Sequence, residues 1–288
     1  MARLERADVV THGWHDYALI DSGEHRKLER FGSVILDRPD TQALWAKSNN
    51  ALWNDAHAQF VWAEKGERWS STKDVPESWS LMYKNMQLTL SMKGFKHIGV
   101  FPEHCTQWDL LEKIGLSTPG LRMLNLFGYT GAASIASAQA GMRVTHVDAS
   151  KATIANVHDN ALHSSLPTDA IHTVTEDAYK YAKRLVQRGE TYDVIVMDPP
   201  AFGRGPKGEV WKIEEKLGEL LALIPSLLTP NAQCVMLNGY AAGYSARTFA
   251  ELLRDVVPAG VVSYGDIGIK QLESERVLTT GIYTTWRP

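Results

Sequence analysis

The hydrophobic pattern changes character about a third of the way along the chain. From about residue 97, short apolar runs alternate with segments of helical period. Met123–Phe127 predicts a strand, and a glycine-containing turn leads into an alanine-rich helix over 132–140 that Gly141 stops. Arg143–Asp148 predicts the next strand; Ser150 caps a helix running towards His163, and Leu166-Pro167 ends it. The alternation continues through strands at 171–175, 192–197 and 233–237 and helices at 178–188, 214–228 and 245–256. The pattern ends with two consecutive strands, 261–269 and 276–286, without a helix between them. Alternation of this length predicts an α/β fold, a parallel sheet covered on both faces with an antiparallel pair at one edge.

The first third reads differently. Strand signals fall at 16–21, 33–37 and 87–92, and 59–63 is expected to pair with 81–83 across a turn at 65–67. Seven of the nine tryptophans lie before residue 119. They either fill the core of a small sheet or offer surfaces on which bases stack. Residues 1–95 are thus expected to form a small β-rich domain, and 96–288 the α/β domain.

Composition narrows the class. With 44% hydrophobic and 22% charged residues, the 288-residue chain can bury a sizeable core. Thirty basic and 33 acidic residues leave a formal net charge of −3, so no global positive field recruits nucleic acid. Two cysteines, Cys105 and Cys234, form neither a disulfide framework nor a metal-ligand cluster; no metal is expected, and a reducing interior is. The charged start, Met1–Asp8, lacks the apolar stretch of a signal peptide, and no window approaches a membrane span. These features predict a cytoplasmic protein with no membrane partner.

Two segments carry candidate chemistry. In the first, Phe127-Gly128-Tyr129-Thr130-Gly131 turns the chain from strand to helix, where glycine allows close backbone approach to a ligand. A dinucleotide site would call for a third glycine, and Tyr129 within the turn argues against pyrophosphate. Asp148, with Ala149 and Ser150, follows at the end of the next strand, where a carboxylate can accept from both hydroxyls of a ribose. Asp177, ahead of Ala178, either bonds an adenine amino group or caps the next helix.

The second segment is Asp198-Pro199-Pro200-Ala201-Phe202, directly after a buried strand. Ligands in open α/β sheets sit beyond the carboxyl ends of the strands, so Asp198 faces the same crevice as Asp148. The prolines leave rigid carbonyl acceptors beside a carboxylate, a cluster able to hold an amino group while Phe202 stacks on a planar base.

Together the turn, Val147-Asp148-Ala149-Ser150 and Asp198–Phe202 resemble a class I S-adenosylmethionine-dependent methyltransferase. More narrowly they are similar to the bacterial 23S ribosomal RNA methyltransferases that modify cytosine C5 or guanine N7. Gly99–His104 resembles, in altered form, a segment ahead of the catalytic domain in that group. The resemblance implies a Rossmann-like seven-stranded sheet with an antiparallel last strand. It implies S-adenosyl-L-methionine as cofactor, lined by Phe101, Pro102 and Phe127–Gly131, with Asp148, Ala149 and Ser150 at the ribose and Asp177 and Ala178 near the adenine. Asp198 borders both cofactor and acceptor, and Asp198, Pro199, Pro200 and Phe202 form the catalytic corner.

The C5 members place a nucleophilic cysteine just after the fifth strand; here the matching stretch is Leu237-Asn238-Gly239-Tyr240. Transfer to a nitrogen is therefore expected, with Asn238 orienting the substrate and Arg204 and Lys207 of a flexible basic loop gripping phosphate. Ribosomal RNA is the expected partner. A small-molecule or protein acceptor remains the alternative that the charge favours, followed by a non-catalytic cofactor-binding module and a dehydrogenase.

Overall fold

The computed structural model describes residues 1–63, 66–93, 95–240 and 243–288. The chain gathers into two compact units. One comprises Met1–Val9, Thr106–Ile267 and Gly281–Pro288, the other Val10–Cys105 and Gly268–Thr280. Where composition suggested a single boundary near residue 95, the chain changes unit at Val9/Val10, Cys105/Thr106, Ile267/Gly268 and Thr280/Gly281.

In the first unit, strands β1 (Arg122–Leu126), β2 (Arg143–Asp148), β3 (Ile171–Thr175), β4 (Val194–Met197) and β5 (Cys234–Gly239) run parallel. Strands β6 (Val261–Lys270) and β7 (Val277–Arg287) complete the predicted seven, and β7 pairs antiparallel with β5. The order is β6-β7-β5-β4-β1-β2-β3. Two short N-terminal strands, Arg3–Arg6 and Val9–Val10, also pair with β6 and bring the sheet to nine. Arg3–Arg6 is too charged, and Val9–Val10 too short, to have given a strand signal. The crossovers are helices α1 (Cys105–Ser117), α2 (Ala132–Gln139), α3 (Lys151–His163), α4 (Ala178–Gln187), α5 (Ile213–Leu221), α6 (Ile224–Leu227) and α7 (Ala246–Arg254). One helix was expected over 214–228; Pro225 interrupts the backbone pairing and separates α5 from α6.

All four residues of β4 and all six of β5 are buried, as expected for strands covered on both faces. The core around them includes Leu124, Leu126, Ile195, Met197, Leu220, Leu237, Phe249 and Trp286. Strand order reverses between β1 and β4: β2 and β3 lie on one side, β5 on the other. The connections leaving β1 and β4 diverge there and open a crevice at their carboxyl ends.

In the second unit, Tyr17–Gly23, Arg26–Phe31, Val34–Pro39, Ala58–Ala63 and Gly66–Ser71 form a five-stranded sheet in chain order. The strand 58–63 pairs with its neighbour 66–71 and not with 81–83, which joins a separate hairpin with Met86–Leu90. Lys65 of the expected turn lies outside the described residues. Leu19, Leu28, Phe31, Leu36, Phe60, Leu81 and Leu88 fill the core. Five tryptophans of this unit do not. Trp14, Trp45, Trp53, Trp69 and Trp79 are half-buried. Their indole N–H groups donate to Pro102 O, Ser22 O, Asp21 Oδ2, Phe95 O and Phe31 O respectively. Each ring packs with its apolar body while its polar tip ties one segment to another.

Candidate active site

The turn after β1 is built from left-handed residues. Phe127 and Tyr129 have φ of 60° and 51°, and Gly131 has 95°. For the two aromatic residues this conformation costs about 1–3 kcal/mol each, so the surroundings must enforce it. They do so through backbone bonds from Gly128 N to Val147 O (3.0 Å) and from Gly131 N to Gly128 O (3.2 Å). Glycine is required at 128, where a Cβ would overlap the His146 ring. Gly131 is the N-cap of α2, and no side chain caps it. The N–H groups of the first turn are therefore without a side-chain acceptor.

Asp148, at the end of β2, faces this turn. Its Oδ2 accepts from Tyr129 N at 3.0 Å, and its Oδ1 from Ser150 N at 2.9 Å and Thr153 Oγ1 at 2.7 Å. Burial pushes its carboxyl above the ordinary value despite these three donors. A carboxylate offers about four lone-pair sites, so Oδ2 retains one acceptor position. Ser150 caps α3 by accepting from Thr153 N, and Asp177 caps α4 by accepting from Lys180 N at 2.9 Å. The Thr130 carbonyl accepts from the buried Asn160 amide at 3.0 Å. Ala149 lies between Asp148 and the α3 cap, and Ala178 is the buried first residue of α4.

Sequence reasoning missed a polar network beneath the turn. Asn125 Nδ2 donates to Ser134 Oγ at 2.9 Å, and Ser134 Oγ lies 2.9 Å from His146 Nδ1. With its oxygen already accepting from Asn125, the serine hydroxyl can give its own proton to Nδ1. The His146 ring is fully buried, and burial pulls its pKa down to about 4. It is a neutral imidazole filling the space that Gly128 leaves open. Its signal in the sequence was a histidine between two valines of a predicted strand, Val144 and Val147, with Thr145 beside it.

Across the crevice, β4 delivers Asp198, whose N–H donates to Leu126 O at 3.3 Å. Pro199 is buried and Pro200 exposed. The segment expected to be a flexible basic loop is an antiparallel hairpin, Phe202–Arg204 with Val210–Lys212. Gly205 N donates to Glu209 O at 2.8 Å and Lys207 N to Glu209 Oε2 at 2.8 Å, which closes the tip. Phe202 is 54% exposed, and the Arg204 and Lys207 side chains are exposed along the hairpin.

Other predicted residues fall elsewhere. Asn238 is buried, and its amide exchanges two hydrogen bonds with that of Gln107 on α1. This pairing ties the end of β5 to α1 and uses one of the amide's two donor hydrogens and one of its acceptor positions. Phe101 and Pro102 belong to the second compact unit, where Pro102 opens a 3-10 turn, so the site described here is built from the first unit alone. Cys234 is fully buried, and burial pushes its thiol up to about 12. Cys105 is buried, and its Sγ donates to His12 O at 3.3 Å.

Comparison with known proteins accords with this geometry. Residues 35–248 match the family described as S-adenosylmethionine-dependent methyltransferase. A crystal structure of the SAM-dependent methyltransferase from Agrobacterium tumefaciens has 36% identity and a TM-score of 0.95, covering 100% of this chain and 95% of that one. A methyltransferase solved with S-adenosylhomocysteine shares the fold at 17% identity, with a TM-score of 0.74 over 96% of this chain and 76% of its own. The ribosomal RNA large subunit methyltransferase K/L of Shewanella baltica is 32% identical over 151 residues, 52% of this chain. The match spans only 20% of that relative's length.

Proposed function

Since the chain belongs to the S-adenosylmethionine-dependent methyltransferase family, we propose that it transfers a methyl group to a base nitrogen of large-subunit ribosomal RNA. The cofactor, when bound, supplies a sulfonium-activated methyl group.

The residues present fit that cofactor. The Phe127–Gly131 turn lets backbone come close at Gly128 and Gly131, and α2 presents N–H groups that no side chain occupies. These features suit the amino-acid end of the cofactor. Asp148 keeps an acceptor position on Oδ2 for a ribose hydroxyl, beside Ala149 and Ser150. Asp177 Oδ1 is engaged in the α4 cap, which leaves Oδ2 for an adenine amino group next to Ala178.

The observation that carries nitrogen transfer is the Asp198–Phe202 corner at the mouth of the switch-point crevice. Asp198 and the Pro199 carbonyl would hold the two hydrogens of an amino group, which keeps the nitrogen lone pair directed at the methyl, and the Asp198 carboxylate would take the proton that the nitrogen sheds once methylated. Phe202, more than half exposed, stacks on the base. Arg204 and Lys207 project from the same hairpin towards the phosphates that flank it. The acceleration comes from holding donor and acceptor in line, which can account for several kcal/mol of barrier without any covalent intermediate.

The RNA acceptor rests on the hairpin's exposed cations and on what the relatives' names say of them. A small-molecule or protein acceptor is the second reading, favoured by the formal net charge of −3. The test is transfer of labelled methyl to ribosomal RNA from cells lacking this gene, followed by mapping of the label. A nitrogen-methylated base in the large-subunit RNA is the expected product. Label found only in protein or small molecules would replace the RNA reading with the second.

A further inference from the structure

Trp211 belongs to the second strand of the hairpin, and no part of the methyl-transfer reading used it. It is 2% exposed although the hairpin around it is largely exposed. Its indole Nε1 donates to Pro200 O at 2.7 Å, the shorter end of the usual N–H···O range. Its ring lies 4.7 Å from the Phe127 ring, tilted by 57°. One side chain thus touches both halves of the crevice: the strained residue that opens the turn after β1, and the second proline of the corner after β4.

Further contacts make the hairpin a stiff platform for that side chain. Gly203 pairs with Trp211 across the two strands. Ile213 N donates to Ala201 O at 3.0 Å, closing the open end of the hairpin onto the corner. Lys180 of α4 reaches Glu209 at 3.2 Å and ties the tip back to the sheet-covering layer.

We propose that Trp211 is a positioning residue that sets the acceptor corner against the cofactor turn. Its N–H engages the Pro200 carbonyl, so of the corner's two proline carbonyls it leaves Pro199 O, beside Asp198, to meet the acceptor. Its ring supports Phe127 in the left-handed conformation that the turn needs. The hairpin therefore determines the separation between donor and acceptor, in addition to carrying Phe202, Arg204 and Lys207. This inference rests on the reading of the crevice as a methyl-transfer site.

The test separates the two contacts. Trp211→Phe keeps an aromatic ring against Phe127 and removes the N–H; Trp211→Leu removes the ring as well. Two probes read the two halves without knowledge of the natural acceptor. S-adenosylhomocysteine reports on the cofactor turn. Sinefungin, which carries an amine where the methyl-bearing sulfonium stands, also reports on the acceptor corner. Calorimetry on the full chain is expected to give Trp211→Phe an S-adenosylhomocysteine affinity within about twofold of wild type, with sinefungin weakened about tenfold, as loss of one buried hydrogen bond implies. Trp211→Leu is expected to weaken both ligands about tenfold or more. Circular dichroism fixes the folded fraction, and Trp211→Phe alone suffices if the leucine variant does not fold. An unchanged sinefungin-to-homocysteine ratio in Trp211→Phe overturns the proposal while leaving the cofactor site standing. Wild-type protein that binds neither ligand overturns the methyl-transfer reading and the proposal with it.

Discussion

Tyr129 donates its backbone N–H to Asp148 Oδ2 at 3.0 Å, joining the turn after β1 to the end of β2. The carboxylate thereby organises the turn and, in the proposed site, would also offer an acceptor to a ribose. Removing it should cost both roles. Asp148→Ala is expected to weaken S-adenosylhomocysteine binding roughly 100-fold, and Asp148→Asn roughly tenfold, on the scale of hydrogen bonds to charged groups. Isothermal calorimetry measures this directly, and alanine binding as tightly as wild type would refute the assignment.

The His146 ring occupies the space that a Cβ at Gly128 would need. Gly128→Ala should therefore destabilise the fold by about 1–3 kcal/mol through overpacking, and disturb the turn as well. Shrinking the partner should relieve the clash. The double variant Gly128→Ala with His146→Ala is expected to lose less stability than the sum of the two single changes, a non-additivity that denaturant titration can measure.

Acid should act through His146. Its native pKa of about 4 lies below the ordinary 6.5, so between those values the unfolded chain binds a proton that the native state refuses. The stability it contributes is complete above pH 6.5 and falls with decreasing pH by about 1.4 kcal/mol per unit, roughly 3 kcal/mol in all by pH 4. His146→Gln should flatten this component. The difference between the two pH–stability curves is the observable, and parallel curves would contradict the assignment.

No thiol is placed for covalent catalysis. Cys234 is held protonated by burial, with its pKa up to about 12, and Cys105 is buried. The double variant Cys105→Ala with Cys234→Ala should transfer labelled methyl at a rate within about threefold of wild type, since two small buried side chains and the weak Cys105 bond to His12 O are lost but no nucleophile. A complete loss of transfer in a folded double variant would restore the covalent route.

Much of this site was legible because its parts are local. Ser150 and Asp177 cap α3 and α4 as their positions just ahead of helical periods predicted. Asp148 and Asp198 close segments that read as strands, the second of them an apolar run, and the α/β alternation sets such strand ends along one edge of the sheet. What escaped was long-range. Trp211 meets Phe127 across 84 residues of chain, and nothing near either residue announces it. Glycine and proline between 203 and 208 read as a loop, whereas the pairing that orders the hairpin comes from Glu209, Trp211 and Lys180. The pairing of Asn238 with Gln107 had no signal in the sequence because the two lie 131 positions apart. The early tryptophans read as either core or stacking surface; the N–H groups of Trp14, Trp45, Trp53, Trp69 and Trp79 place those rings at the boundary of the core.

The central claim is the location of the methyl donor. A crystal structure of the full chain with S-adenosylhomocysteine tests it most directly. The account predicts a ribose hydroxyl within about 3 Å of Asp148 Oδ2, the sulfur over the Gly128–Gly131 turn and its open side facing Asp198. Density for the nucleoside at any other place, with Asp148 bonded as in the free protein, would contradict it.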